Sequence, residues 1–196
     1  MIITKIERQK KNTNKFNLFV DSQYYGSFSY EIILDYHFVD NQIVKEEALK
    51  AALADQEKRN AYEKSLNILS YRMNSEMELK RKLKEHYTEV AINETVLKLK
   101  KFKFLDDNKF SELWLKERKD GRGRRLLQAE LAKKGINRDI IKKNLENLSR
   151  EEEVISAEKL LEKRFKGEID PKKALQYLAN RGFDYEISKK ALQQDK

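Results

Sequence analysis

The chain of 196 residues contains no cysteine, and this absence excludes several kinds of chemistry. Disulfide bonds, thiolate metal sites and a cysteine nucleophile all need that residue. Histidine is almost as scarce, because His37 and His86 are the two in the chain and lie far apart in sequence. We interpret each as a partly buried or surface side chain and expect no cofactor, although carboxylate-bound magnesium stays open. A chain without cysteine is compatible with a reducing cytoplasm but does not prove that location, and we expect a cytoplasmic protein.

Proline and glycine are also scarce, with one and six copies. Helix interiors exclude both residues, whereas loop-rich and all-β proteins need them, so this composition favours long helices. Long apolar runs are missing as well. The N-terminal stretch MIITKIERQKK lacks the apolar core of a signal peptide, and no run of about 18 apolar residues is present to span a membrane. We expect no membrane partner.

No motif of a catalytic or nucleotide-binding site occurs in the sequence. The GRG at 121–123 has neither the spacing of a phosphate-binding loop nor the Lys-Ser or Lys-Thr that completes one. Asp106 and Asp107 are adjacent carboxylates, but neighbours on a helix do not face one another, and helix capping explains them better than metal binding. The sequence therefore predicts a protein that is not an enzyme.

Charge is abundant, and its distribution along the chain is uneven. The net charge is +9, from 42 basic and 33 acidic residues. Residues 1–55 carry a net charge of −1, residues 56–150 a net charge of +10, and residues 151–196 a net charge of 0. A positive region attracts polyanions and accelerates encounter with them. A solvated, lysine-rich helical surface gives the same pattern, so charge alone leaves the two interpretations equal.

The N-terminal residues have the texture of β-strands. IITKIE alternates apolar and polar residues, KFNLFV and QYYGSF favour strands, and DSQ at 21–23 predicts a hairpin turn between the last two. We expect a small antiparallel sheet, followed by a short helix over YEIILDYH that Ser29 caps. From Lys45 to Arg72 the residues favour helix without interruption by proline or glycine, which predicts one long helix or two in series.

An internal repeat follows. The pattern Leu-x-x-Arg begins at Leu69, Leu115 and Leu161, each copy 46 residues after the last. Two further landmarks keep nearly the same period, namely Leu83, Leu131 and Leu178, and then Ile92, Ile140 and Ile187. Three landmarks with one period indicate a structural repeat, and stacked repeats bury a core that no single unit could bury.

Each repeat contains the start and stop signals of three helices. The first helix ends near the Leu-x-x-Arg pattern. Ser75 and Glu78 form a capping-box pattern at the start of the second helix, and Asp170-Pro171 is typical of the same position in the last repeat. Gly135 and Gly182 suit the left-handed end of the second helix.

These signals predict a mainly α-helical fold with three tandem three-helix repeats in an elongated, curved array and a small N-terminal antiparallel β element. We expect residues 1–44 to form a β-rich segment with a short helix, and residues 45–105 to form the long helix and the first repeat. Residues 106–150 and 151–196 should form the second and third repeats.

Three stretches of sequence carry a family resemblance. They are LSYRMNSEMEL at 69–79, FLDDNKF at 104–110 and GRGRRLLQAELAKKGI at 121–136. In this order and at this spacing they resemble the RecX family, regulators of the bacterial recombinase RecA, and the likeness covers essentially the whole chain. Two positions depart from the family pattern: Met73-Asn74 stands where proline often follows the arginine, and His86-Tyr87 replaces a glycine-aromatic pair.

The resemblance implies a non-enzymatic modulator, mainly an inhibitor, of RecA. Such a protein binds RecA and its filament on single-stranded DNA, and lowers the ATPase, strand-exchange and coprotease activities. It implies no catalytic residues, and we expect a monomer. Two other interpretations stay open, namely a helical-repeat protein that binds DNA directly and an adaptor for some other protein.

The middle repeat contains the densest cluster of cations, KERKDGRGRR at 116–125, in which six of ten residues are Lys or Arg. We expect this cluster to contact phosphates or an acidic surface of RecA, together with two lysines of the next helix and three cations of the first repeat. The complete set of predicted contacts is Lys80, Arg81, Lys84, Lys116, Arg118, Lys119, Arg122, Arg124, Arg125, Lys133 and Lys134.

Some of these residues have a structural alternative. Arg72, Arg118 and Arg164 recur with the repeat, so bracing one helix against the next is as good an interpretation as binding. Neutralising Arg122, Arg124 and Arg125 together is expected to weaken filament inhibition and to leave the fold intact. We interpret Trp114 as a packing residue rather than a base-stacking one. Three aromatic residues near the repeat junction also look structural, namely Phe102, Phe104 and Phe110.

Overall fold

The computed structural model describes residues 1–165 and 170–193. The remaining residues, 166–169 and 194–196, belong to the third repeat expected over 151–196, and that part of the expectation lies outside the described residues. The strands are β1 (Ile2–Arg8), β2 (Lys15–Val20), β3 (Gln23–Ser29) and β4 (Gln42–Ile43). The helices are α1 (Tyr30–Asp35), α2 (Glu46–Tyr71), α3 (Glu76–Leu83), α4 (Glu89–Lys101), α5 (Asp107–Arg118), α6 (Arg124–Lys133), α7 (Arg138–Glu146), α8 (Arg150–Arg164), α9 (Pro171–Asn180) and α10 (Tyr185–Gln193).

The chain folds into two compact units. The first unit comprises residues 1–71 and 82–101, and the second comprises residues 72–81 and 102–196. Helix α3 therefore begins in the second unit and ends in the first. Along the described ranges, no helix combines the length and the apolar character that a membrane crossing requires.

The N-terminal sheet belongs to the first unit and is antiparallel, with strand order β3-β2-β1-β4. Asp21 and Ser22 connect β2 to β3 with φ angles of 48° and 66°. Two consecutive residues with positive φ give the turn whose twist matches that of a hairpin. The Asp21 side chain also accepts a hydrogen bond of 2.9 Å from the Ile2 amide, which ties the turn to β1. The predicted sheet and its turn are confirmed.

The core of the first unit lies between the sheet, α1 and the first turns of α2. Fully buried side chains from all three meet there, among them Leu18, Phe28 and Leu49. Ser29 occupies the N-cap position of α1, as expected, but its side chain makes no capping hydrogen bond. The stretch from Lys45 forms one continuous helix, α2, of 26 residues.

The second unit contains two three-helix sets of the same design. Helices α5, α6 and α7 surround one apolar core, and α8, α9 and α10 surround another. The repeat landmarks Leu115 and Leu161 are buried in their respective cores, as are Leu131 and Leu178. These positions recur because each set needs the same inward-facing residues, so the spacing read from the sequence reflects the packing.

The helix ends of the second unit follow the predicted signals. Asp106 accepts hydrogen bonds from the amides of Asn108 and Lys109, at 2.9 and 3.0 Å, and so caps α5. Asp170 caps α9 in the same way through the Lys172 amide, at 2.9 Å. Gly135 and Gly182 follow α6 and α9 with φ angles of 78° and 84°, a conformation that favours glycine.

The mainly helical fold, with three-helix sets after a small antiparallel sheet, is thus confirmed. The elongated, curved arrangement remains a prediction. The boundaries expected after residues 44, 105 and 150 also remain predictions.

Candidate functional site

The basic stretch KERKDGRGRR forms the end of α5, a short loop and the start of α6. Its second glycine brings two backbones together, because the Gly123 amide donates a hydrogen bond of 2.9 Å to the Arg181 carbonyl. A Cβ atom at position 123 would overlap the backbone of Gly182. The Arg125 amide donates to the Gly182 carbonyl at 3.1 Å. We call this contact between the start of α6 and the end of α9 the second joint.

Arg124 completes the second joint with its whole guanidinium group. Nε donates to the Glu153 carboxylate at 2.8 Å, and the two terminal nitrogens each donate at 2.6 Å to the carbonyls of Leu145 and Leu148. The Arg124 amide donates to the other Glu153 oxygen at 3.1 Å. The Glu153 side chain is 8% exposed and that of Arg124 is 20% exposed. A buried carboxylate needs such a partner, so Arg124 stabilises the fold.

The loop between α5 and α6 is held on the third repeat by further contacts. Lys119 forms an ion pair of 2.5 Å with Glu152, and the Gly121 amide donates to the Ser156 hydroxyl at 2.8 Å. Arg122 turns the other way and pairs with Glu130 at 3.2 Å. Much of the charge of this stretch is therefore neutralised within the chain.

An equivalent contact, the first joint, links the start of α3 to the end of α6 within the second unit. The Ser75 hydroxyl donates to the Lys134 carbonyl at 2.6 Å, and the Glu76 amide donates to the Asp107 carboxylate at 2.8 Å. The predicted capping box is present, because the Glu78 amide donates to the Ser75 hydroxyl at 3.1 Å and the Ser75 amide to the Glu78 carboxylate at 3.3 Å.

Lys134 occupies the centre of the first joint. Its ammonium group forms an ion pair of 2.8 Å with Glu78. Burial by itself raises the pKa of the Glu78 carboxyl, but the hydrogen bonds from Lys134 and the Ser75 amide outweigh burial and lower it overall. The Lys134 ammonium also lies 3.9 Å from the centre of the Trp114 ring, a cation–π contact.

Trp114 packs inside the second repeat. Its ring stacks on that of Phe110, with 6.0 Å between the centroids, and Arg118 lies 4.5 Å from its centre. The indole nitrogen donates to Glu130 at 3.3 Å. The interpretation of Trp114 as a packing residue is confirmed. The contact of Arg118 lies within α5, so bracing of one helix against the next by this arginine stays a prediction.

The predicted binding residues thus separate into two groups. One group makes contacts inside the second unit: Lys80, which pairs with Glu76 at 2.8 Å, together with Arg118, Lys119, Arg122, Arg124 and Lys134. The other group is exposed: Arg81, Lys84, Lys116, Arg125 and Lys133. Their role in binding stays a prediction. The expectation that neutralising Arg122, Arg124 and Arg125 leaves the fold intact stays a prediction, and the three guanidinium hydrogen bonds of Arg124 indicate that the substitution lowers stability.

Two of the exposed cations share a face of α6. Arg125 and Lys133 are eight residues apart, about 12 Å along a helix, and Ala129 lies midway on the same side. Gln128, Ala129 and Ala132 are exposed as well. Small side chains between two cations give a surface that another backbone or a phosphate chain can approach closely. We call these residues the α6 face.

Sequence reasoning missed two kinds of residue. Phe102 and Phe104 looked structural, but each is 54% exposed, whereas Phe110 is buried at 4%. The alternation KFKF at 101–104 was the available signal, because a buried turn would not place a lysine between two core residues. The carboxylates that accept hydrogen bonds from the first amides of the second helices, Asp107 and Glu153, were also missed. The available signal was their separation of 46 residues, which is the period of the repeat.

Taken together, the fold and the joints define a helical-repeat protein with an N-terminal sheet, in which repeats are linked by ion pairs and close backbone contacts. Family models match most of the chain. The regulatory protein RecX N-terminal domain matches residues 1–45, the first RecX three-helix domain residues 61–99, and the second residues 106–145.

Known relatives agree with these matches. Regulatory protein RecX of Clostridioides difficile (strain 630) is 32% identical, over 97% of this chain and 94% of its own length. Regulatory protein RecX of Bacillus velezensis is 31% identical, over 98% of this chain and 76% of its own length. A crystal structure of regulatory protein RecX covers both chains fully with a TM-score of 0.80 at 23% identity, and therefore supports the fold. The chain belongs to the RecX family, whose members are named regulatory proteins.

Proposed function

We propose that this protein regulates RecA, mainly as an inhibitor, by binding RecA and its filament on single-stranded DNA without catalysing a reaction. The observation that carries the proposal is family membership, which extends over 97% of the chain in the clostridial relative. The sequence motifs that resemble the family fall on the parts of the second unit that form the joints. The proposal assumes a monomer acting in the cytoplasm.

The exposed cations of the second repeat offer the surface for this binding. Arg125 and Lys133 on the α6 face, and Lys116 on α5, point away from the core of the repeat and are exposed. Cations on a rigid scaffold attract an acidic or phosphate-bearing surface at long range and then position it. The ion pairs at the joints support this role indirectly, because they fix the helix on which the α6 face lies.

The test is the ATPase rate of RecA on single-stranded DNA while this protein is titrated in. We expect the rate to fall with a saturable dependence on concentration, and the protein to co-sediment with the filament. An unchanged rate together with no co-sedimentation would rule out RecA as the partner. Capture of a different protein from a bacterial lysate would then favour the adaptor interpretation.

Direct contact with single-stranded DNA is the second candidate function, and exposed aromatic residues favour it. The rings of Phe102 and Phe104 are each 54% exposed and flank Lys103, which adopts a positive φ of 60°. Exposed rings beside lysines are the elements on which single-stranded bases stack, while the lysines contact phosphates. Phe102, Lys103 and Phe104 therefore offer single-stranded DNA a contact that combines base stacking with a positive charge.

Titration of a labelled oligodeoxythymidylate without RecA tests this candidate. Loss of one base stack costs about 1–3 kcal/mol. Phe102→Ala and Phe104→Ala should therefore weaken binding and leave its dependence on salt concentration unchanged. Lys103→Gln should reduce the salt dependence by about one phosphate contact. No DNA binding at low salt, or an unchanged affinity of the phenylalanine variants, would contradict the assignment.

A further inference from the structure

A groove of about 470 Å³ opens in the second unit between the loop at 119–122, the end of α7 and one side of α8. Its apolar lining comes from Leu127, Leu148, Ile155 and Leu160. Ile155 is 48% exposed, so an apolar side chain stands open to solvent at the groove. The volume lies within the range of about 300–1,000 Å³ that is typical of ligand sites.

The charged lining residues are not evenly balanced. The groove is lined by the cations Lys119, Arg122, Arg124, Lys159 and Lys163 and by the acidic residues Asp120, Glu152 and Glu153. The two glutamates are already engaged, because Glu152 pairs with Lys119 and Glu153 with Arg124. Of the cations, Lys159 and Lys163 are exposed, and neither takes part in an ion pair found within residues 1–165 and 170–193.

These two lysines are aligned with the exposed isoleucine. Ile155, Lys159 and Lys163 follow one another at intervals of four residues on α8, so they lie along one side of the helix. The groove thus presents one apolar contact followed by two positive charges, about 6 Å apart from one turn to the next. A segment that places an apolar side chain next to two carboxylates would match this order.

We propose that this groove binds an acidic segment of a protein partner, with an apolar side chain against Ile155 and Leu160 and carboxylates at Lys159 and Lys163. The inference rests on the proposed function only in that the partner is a protein. Nucleic acid fits less well. Among the described residues that line the groove none is aromatic, so bases would find no ring to stack on.

The test is fluorescence anisotropy of a labelled peptide in which glutamates surround two central leucines, titrated with the full-length protein. A peptide of the same length with lysine in place of glutamate is the ligand control. We expect saturable binding of the acidic peptide and none of the basic one. Lys159→Glu/Lys163→Glu should weaken binding at least about tenfold, and Ile155→Ser by a smaller factor. Lys159→Gln/Lys163→Gln should weaken it less than the glutamate pair.

Lys172→Glu/Lys173→Glu is the matched protein control, because it makes the same change of charge at two exposed lysines of α9. It should bind the acidic peptide like the parent. Absence of saturable peptide binding, or equal weakening by the α8 and α9 variants, would overturn the proposal. The proposal would also be overturned if the protein bound an oligodeoxythymidylate instead of the acidic peptide, and if the α8 substitutions abolished that DNA binding. The peptide titration does not contain RecA. A negative result in the titration therefore leaves the ATPase test of the proposed function unaffected.

Discussion

The first and second joints use equivalent backbone positions with different side chains. In each joint the first amide of a second helix donates to a carboxylate of the following repeat, from Glu76 to Asp107 and from Arg124 to Glu153. In each, a carbonyl at the end of the next second helix accepts a hydrogen bond. The donor is the Ser75 hydroxyl in the first joint and the Gly123 amide in the second.

This difference accounts for two residues of the basic loop, Gly123 and Arg124. At the first joint the contact is made by the side chain of Ser75. Lys134, from the following repeat, supplies the ion pair with Glu78. The glycine at the second joint allows the backbones to touch, and the cation comes from the preceding repeat as Arg124. Gly123 and Arg124 are therefore required for packing, whereas Arg125 is exposed. A dense run of cations does not by itself identify a binding surface.

The largest effect is expected from a side chain at the second joint. Gly123→Val would force its Cβ into the backbone of Gly182, so we expect the free energy of unfolding to fall by about 3 kcal/mol. Urea denaturation followed by circular dichroism measures it. Ala129→Val, on the exposed side of the same helix, is the control and should cost about 0.5 kcal/mol through helix propensity. Equal losses in both variants would contradict the close backbone contact.

The next effect should come from removal of the cation at the second joint. Arg124→Met removes the three guanidinium hydrogen bonds to Glu153 and to the carbonyls of Leu145 and Leu148, and we expect a loss of about 2 kcal/mol in the free energy of unfolding. Arg125→Met, one residue further on and exposed, should stay within about 0.5 kcal/mol of the parent. If the two variants are equally stable, the contacts of Arg124 do not stabilise the joint.

Acid should weaken the first joint. The folded protein holds the pKa of Glu78 below its ordinary value of 4.5, so its contribution to stability is complete above that pH and disappears as pH falls through the lower, folded pKa. Glu78→Gln should therefore cost about 1 kcal/mol at pH 7 and progressively less below pH 4.5. Thermal unfolding of the variant and the parent at pH 7 and at a pH below 4.5 measures this difference in stability. Glu117→Gln, at an exposed position on α5, is the control. A stability difference between Glu78→Gln and the parent that does not depend on pH would contradict this prediction.

The smallest effect is expected from making the first joint resemble the second. Ser75→Gly removes the hydroxyl that donates to Lys134 and caps α3, and we expect a loss of about 0.5 kcal/mol in the free energy of unfolding. Ser75→Ala loses the same hydroxyl but keeps a Cβ atom. Its loss in the free energy of unfolding should therefore equal or exceed that of Ser75→Gly. If Ser75→Gly has the same free energy of unfolding as the parent, the Ser75 hydroxyl does not stabilise the first joint.

Local signals in the sequence predicted most of the fold, because turns and helix ends depend on neighbouring residues. Asp106, Asp170 and Gly135 each act within a few positions of themselves, and their roles could be predicted. Arg124 and Arg125 could not be distinguished in this way. They are adjacent, yet Arg124 meets Glu153, 29 residues away, while Arg125 is exposed. Which of two neighbours is anchored depends on how the repeats pack against each other, and the sequence pattern does not show that.

The separation of joint residues from binding residues is tested most directly by RecA ATPase on single-stranded DNA, with two variants at matched folded fractions. Arg124→Met should have a lower thermal midpoint and, while folded, inhibit like the parent. Arg125→Gln/Lys133→Gln should keep the thermal midpoint and lose about tenfold in inhibitory potency, because it removes the charges of the α6 face. The opposite pattern, with inhibition lost in folded Arg124→Met and retained in the double variant, would place the partner contact in the loop.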